Sequence, residues 1–496
     1  MKILIVQLAR LGDIYMSWPI ARALKRKDPD STIHFFVREK FQRALLGLEE
    51  NERTHLLKTK EIIGYGLENR NEPTEYLEQQ LNRIRNENYN LIINLSFSPV
   101  SSYICYYLSY TIPQVADFTF TRSSLTRPTI VGYTRNADSS FCLKEAVSAY
   151  YYSQVGTEKY NRFHLIDIFA SLCDLDLKPQ DYKYPSEFSL NSPIDGKYIT
   201  IQLGASQKNK TLTPFIWARV IKKLLSFKLG YKIVLIGSKE EEELVDEVFA
   251  FNNYSEIINL IGKTNLDELF PILKGSSLHV GGDSVFIHMC NLTQTPCLNF
   301  SFETVKFWET GPKSNGSYVL LNILPANVES TEAASAIHSV LTKNPLPQLI
   351  SYVPEVPCYS LKFDLVNDFE WALVKALYIG DSFPVTEDIH FHAAMVKLHR
   401  ANNTIINTLN SCLAEGTRKY LKILEAEDEV FKGIARLNSK AGIYIDWCLA
   451  EKIKVPPLTE NKIVESYLRV HNELKLIMKP YLLEEELTQE EEKNHG

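Results

Sequence analysis

A chain of 496 residues is too long for one ordinary domain and has room for about three. Its 45% hydrophobic and 23% charged residues are those of a globular protein with a sizeable core, and a net charge of −6 argues against a general nucleic-acid binder. Eight cysteines with no CxxC pair signal neither a zinc site nor a disulfide framework, and no run approaches the ~18 apolar residues of a membrane span.

The first apolar run, Ile3–Val6, predicts a buried strand, and Gln7 and Arg10 end it too early for a signal peptide. Leu11-Gly12-Asp13 then reads as a turn, followed by a helix over 14–27 that closes on Lys25-Arg26-Lys27. Thr32–Val37 is a second strand, 73–88 a helix and 90–96 a third strand, the alternation of βαβ units around a parallel sheet. Residues 1–170 carry 21 Lys+Arg against 18 Asp+Glu, a mild excess compatible with an anionic or membrane-surface partner.

Periodicity lapses over 174–196, rich in Pro, Asp and Ser, which reads as a linker. Alternation restarts with strands at 197–204, 231–238, 256–262, 276–283 and 295–301, separated by helices at 214–228, after Gly237 and near 266–274. The reading is therefore α/β. Two doubly wound Rossmann-like domains, 1–173 and 197–330, face a cleft between the carboxyl ends of their sheets. Strand signals fade after 331, so 331–485 is expected to be a mostly helical extension and the acidic tail 486–496 disordered.

Four places could carry chemistry. Asp13 stands at a helix mouth, where it is either a cap or a catalytic acid or base. The loop "LGASQKNKTLTP" (203–214) brings Gly204, Ser206, Lys208 and Lys210 before a helix, a cradle for a diphosphate or a solvated polar loop. It lacks the Gly-Lys-Ser/Thr order of a Walker loop. In "LIGSKEEEE" (235–243) an acid after a strand could accept from ribose hydroxyls, although most of Glu240–Glu243 must be a solvated helix face. In "VGGDSVFIH" (280–288), Asp283, Ser284 and His288 gather donors and acceptors suited to a sugar or phosphate; Asp283 as a cap and His288 as a core residue are the plainer alternatives.

Taken together, "ILIVQLARLGDIYMSWP", "LGASQKNKTLTP", "LIGSKEEEE", "INLIGKTNLDEL" and "VGGDSVFIH…TPCLNF" resemble the family 9 glycosyltransferases, whose best-known members are ADP-heptose:lipopolysaccharide heptosyltransferases. The resemblance runs from residue 1 to about 325. It implies a GT-B fold and an inverting, metal-independent transfer of a nucleotide-activated sugar, with no cofactor beyond the donor substrate. Position by position it implies Asp13 as catalytic base, Ser206 and Lys210 at the donor phosphates, Glu241 at the ribose, and Asp283, Ser284 and His288 in the donor signature. Val285 stands where that signature has glycine, and would be costly if the position needs a positive φ or a close backbone approach to phosphate. Lys210 is kept, but Leu212-Thr213-Pro214 departs from the family's Lys-x-Trp-Pro form.

The expected partners are a nucleotide sugar, such as ADP-heptose, and a glycan, lipopolysaccharide-core or protein acceptor, with no nucleic acid. The expected setting is cytoplasmic, with peripheral contact to the inner membrane left open. The helical extension would serve as an oligomerisation module or as an acceptor platform. The alternative is a catalytically impaired scaffold that acts through that extension.

Overall fold

The computed structural model describes residues 1–63, 71–109, 127–157, 159–182, 191–205, 210–251, 255–302, 305–323, 329–344, 352–356 and 369–482. The expected acidic tail and the loop position Ser206 lie outside the described residues. The chain divides into two compact units: Met1–Ser96 with Phe163–Phe363, and Phe97–Arg162 with Asp364–Gly496.

The chain opens with strand β1 (Lys2–Gln7), helices α1 (Leu11–Met16) and α2 (Trp18–Lys27), and strands β2 (Thr32–Arg38) and β3 (Asn51–Leu57). Helices α3 (Thr59–Ile63) and α4 (Asn71–Arg85) lead to β4 (Leu91–Asn94). Residues 97–162 hold α5 (Pro99–Ser109), strands β5 (Thr129–Gly132), β6 (Thr134–Arg135) and β7 (Phe141–Cys142), and α6 (Ala146–Tyr150); α7 (Leu165–Leu172) follows.

Alternation then resumes as β8 (Tyr198–Gln202), α8 (Pro214–Ser226), β9 (Lys232–Ile236), α9 (Glu242–Phe251), β10 (Ile257–Asn259) and α10 (Leu266–Gly275). It continues with β11 (His279–Gly281), α11 (Val285–Thr293), β12 (Cys297–Phe302), α12 (Phe307–Thr310), β13 (Ser317–Ile323), α13 (Ser330–Thr342) and β14 (Tyr352–Val356). Five helices end the described chain: α14 (Phe369–Ile379), α15 (Ile389–Glu415), α16 (Leu421–Leu437), α17 (Ser439–Lys454) and α18 (Glu460–Met478).

In the first unit β1 pairs in parallel with β2 and β4, and β2 with β3. Ile3, Leu4, Ile5 and Val6 are fully buried, which explains why the run is apolar on both faces. The second sheet runs β10-β9-β8-β11-β12-β13-β14; its pairings are parallel except for β14, which is antiparallel to β13. Its core gathers Ile201, Trp217, Leu235, Val280, Leu298 and Phe300.

Two details differ from the expected elements. The helix expected over 14–27 is broken at Ser17, because Pro19 enters α2 and has no N–H to continue the ladder of α1. Strands β3 and β14 carry no clean alternation: "NERTHLL" is mostly polar, and "YVPEV" tolerates Pro354 on the outermost strand of its sheet.

The compact units also cut across the expected domain boundaries. Strands β1–β4 and β8–β14 belong to one unit, and 97–162 stands with the C-terminal helices in the other. Within that second unit α6 and the β6–β7 hairpin pack on α17, the Tyr150 ring meets Tyr378 edge-on at 5.4 Å, and Lys159 pairs with Asp446 at 3.5 Å. The Arg135 guanidinium lies over the rings of Tyr103 and Phe141, at 4.2 and 3.9 Å. No described helix is long and apolar enough to cross a membrane.

Six buried or half-buried histidines contribute to the acid limit of stability, among them His34 and His164, which burial also lowers. Burial pulls His279 and His471 down to about 3, and His55 and His288 down to about 4, against an ordinary 6.5. Above pH 6.5 these groups are neutral in both states and cost nothing. Between 6.5 and about 4 the unfolded chain takes up protons that the folded chain refuses, so stability falls with pH across that window. Urea midpoints taken at pH 7.5 and pH 4.5 should show a clear drop at the lower pH; equal midpoints would contradict the burial of these rings.

Candidate active site

The site is built in the first unit where the carboxyl ends of β1, β8, β9 and β11 deliver their loops. After β1 the chain turns at Leu8–Arg10 and enters α1, which places Asp13 in its first turn. The Arg10 backbone N–H donates to Asp13 Oδ2 at 2.9 Å, so the acid is a cap, as the plainer reading expects. The carboxyl also accepts from the backbone N–H of Asp13 itself. Burial pushes the Asp13 carboxyl above the ordinary range; the Arg10 N–H and guanidinium oppose this, and the nearby Asp283 carboxylate adds to it.

Asp283 and Ser284 follow β11 at the turn into α11. Gly282 packs against the Lys210 carbonyl so closely that a Cβ there would collide with backbone. That approach brings Lys210 Nζ to Asp283 Oδ2 at 3.4 Å, while Thr310 Oγ1 donates to Asp283 Oδ1 at 2.9 Å. Asp283 is thus a hub and not a simple cap. Val285 is the first residue of α11 and is not among the positive-φ residues, so the substitution strains no backbone.

His288, one turn into α11, is buried against α1: a Cβ on Gly12 would come 2.6 Å from the His288 ring. Only glycine lets the two helices meet here. His288 Nδ1 is buried and has no hydrogen-bond partner among the described residues, and burial keeps the ring neutral, at about 4. His288 thus packs between the first turn of α1 and the Asp283 turn.

Glu241 occupies the gap between the turns after β8 and β9, where a Cβ on either Gly204 or Gly237 would strike its carboxylate. The Ser238 N–H donates to Glu241 Oε2 at 2.6 Å, and burial raises the Glu241 carboxyl above its usual value. Of the four consecutive acids Glu241 is the one partly buried, the other three being exposed. Ser284 Oγ donates to Gln202 Oε1, and the Gln202 side chain also bonds Glu241.

The sequence reading missed Gln202, Thr310 and a supporting cluster behind them. Gln202 ends an apolar strand as a buried amide, a polar exception that could have signalled it. Thr310 carried no such mark. Behind Thr310, His164 Nε2 donates to the Gly311 carbonyl at 3.1 Å, and the fully buried Lys313 ammonium pairs with both Asp167 oxygens at 2.8 and 2.7 Å. Among the described residues no group of His, Cys, Asp and Glu could hold a metal ion. Asp13, Lys210, Asp283 and His288 converge, and Glu241 joins them through Gln202 and Ser284. Ser206 lies outside the described residues.

Residues 80–326 match the model of the family described as glycosyltransferase family 9 (heptosyltransferase). The Asp13 turn precedes the matched segment. Lipopolysaccharide heptosyltransferase 1 of Campylobacter coli is 25% identical over 318 residues, 60% of this chain and 83% of that protein. Among solved structures, the E. coli heptosyltransferase WaaC with ADP covers 68% of this chain and 100% of its own, at 14% identity and a TM-score of 0.50. The family 9 glycosyltransferase of Veillonella parvula covers 69% and 97%, at 17% identity and a TM-score of 0.49. The likeness to WaaC is one of fold, the two facing doubly wound sheets of GT-B.

Proposed function

We propose, from the premise that residues 80–326 are a family 9 glycosyltransferase domain and this chain a glycosyltransferase, that it transfers a heptose or related sugar with inversion from a nucleotide diphosphate donor, ADP-heptose foremost. The acceptor oxygen attacks the anomeric carbon from the face opposite the diphosphate, and its proton passes to Asp13 Oδ1. The bond from the anomeric carbon to the phosphate oxygen breaks, and its electron pair leaves with the nucleoside diphosphate. Lys210, the Ser206 hydroxyl and loop amides meet that charge without a metal. Glu241 accepts from the ribose hydroxyls.

The observation that carries this reading is the placement of Asp13 Oδ1. It belongs to an acid whose proton affinity is raised by burial and which stands in one cluster with the Lys210–Asp283 pair. A sugar hydroxyl needs such a base within reach at neutral pH. The acceptor is read as a glycan, a lipopolysaccharide core or a protein in the cytoplasm, consistent with the mildly basic first 170 residues.

The test begins with binding. At 100 times its dissociation constant a nucleotide stabilises the folded state by about 2.7 kcal/mol, which should raise the melting temperature by about 5 °C. ADP should do this and a panel of nucleotide sugars should rank above it, with the true donor consumed on adding acceptor. No shift with any nucleotide at millimolar concentration would favour the scaffold reading instead.

A further inference from the structure

Helix α16 in the second unit turns Phe431 and Ile434 toward its neighbours α15 and α17 and buries them. One position around the helix, Ile423, Ala426, Val430, Gly433 and Leu437 recur at alternating intervals of three and four residues, the spacing of a coiled-coil seam. This second row faces outward: Ile423 is 43% exposed, Val430 44% and Leu437 87%. It is about 21 Å long.

Gly433 sits in the middle of this helix, where glycine costs about 1 kcal/mol relative to alanine. A Cβ there would meet nothing within 4 Å, so no described part of this chain requires the glycine. A helix from outside, packing closely on Gly433 and Ala426, would. Charge tells which helix. The first half of α16 carries Glu425, Glu427, Asp428 and Glu429 against one cation, Lys422, and the second half carries only Lys432 and Arg436, with Lys440 just beyond. Four of these are already engaged within the chain, Glu429 with Lys432 at 2.7 Å, Asp428 with Lys452 at 3.9 Å and Lys440 with Asp388 at 2.7 Å. A second α16 laid parallel would set acid against acid; laid antiparallel, it sets each acidic half against a basic one.

We propose that α16 is a contact between two copies of this chain, packed antiparallel about a two-fold axis that passes between Val430 and Gly433. In that register Val430 fills the space over the partner subunit's Gly433, and Leu437 that over the partner subunit's Ala426. Glu429 comes opposite the partner subunit's Arg436. Large faces small in these central layers, and the contact is isologous, so it closes as a dimer. One helix face buries less than the ~800 Å² per partner of a standard interface, so the dimer is a micromolar one.

Sedimentation velocity on the full chain from about 5 to 500 µM should show a reversible monomer–dimer equilibrium. Val430→Arg should weaken it at least about tenfold while leaving the melting temperature unchanged, since the side chain is exposed. Cysteine trapping reads the geometry. Ala426→Cys chains mixed with Leu437→Cys chains should form a disulfide-linked pair under mild oxidation. Each variant alone should not, because identical positions are then about eleven residues, or ~16 Å, out of register. A monomer at all concentrations, a dimer indifferent to Val430→Arg, or crosslinking of either single variant with itself would overturn the proposal.

Discussion

Replacing Asp13 with asparagine should lower sugar transfer about 10³-fold and leave nucleotide affinity within about threefold. The amide keeps the shape and can still accept the Arg10 N–H, so α1 retains its capped first turn. What it removes is the only capacity the mechanism asks of this position, acceptance of a proton at Oδ1. The loss should therefore appear in kcat rather than in KM for the donor. Transfer followed by mass spectrometry, beside calorimetric binding of ADP, separates the two terms. Because burial raises the Asp13 carboxyl, the acid limb of the wild-type kcat/KM profile should lie above the ~3.9 of a free aspartate, and rate should fall as pH drops through it. Equal turnover in wild type and variant would remove Asp13 from the reaction and leave it as a cap.

The largest effect on stability is expected at the Lys313–Asp167 pair. Lys313 has no exposed side-chain surface, whereas Asp167 is 28% exposed. Removing the acid by Asp167→Asn strips a buried ammonium of its charged partner, and loss of one member of such a pair typically costs about 3–5 kcal/mol. Removing the cation by Lys313→Met should cost less, because water can reach Asp167 and the methionine stem fills the same space. The predicted order of melting temperatures is wild type, then Lys313→Met, then Asp167→Asn, with the last at least about 5 °C below wild type. The double variant Asp167→Leu with Lys313→Met should recover part of the loss. The pair matters to the site as well as to the fold: Lys313 lies three residues beyond Thr310, which donates to Asp283. Asp167→Asn should thus also weaken ADP binding. If the two single variants melt together, the ammonium is not carried by Asp167.

Reading α16 as a dimer contact places the contact in the second unit, while every residue of the proposed reaction lies in the first. Val430→Arg should therefore leave kcat unchanged.

Much of this protein was legible in its residues because the relevant signals are local. Buried parallel strands must be apolar on both faces, so Ile3–Val6 and the strand at Lys232–Ile236 announce themselves. A chain that leaves such a strand through Leu-Gly-Asp, or through Gly-Gly-Asp-Ser, must turn sharply and start a helix, so Asp13 and Asp283 were visible as candidates. Only the family resemblance singled out Glu241 among four acids; its burial was not visible in local pattern, since it depends on two glycines at 204 and 237 that leave room for its carboxylate. Nor were Thr310, His164 and Lys313, whose partners lie 27, 147 and 146 residues away.

The tertiary structure alone decided that 97–162 joins the C-terminal helices. The aromatic, ion-pair and helix contacts that hold it there cross a gap of more than two hundred residues, which no periodicity records. It also decided that Val285 strains no backbone, because the position begins a helix and is not among the positive-φ residues. Period and turn chemistry are properties of a few neighbouring residues, and so belong to the sequence; which buried polar groups satisfy one another is a property of packing, and emerges only when distant segments are brought together.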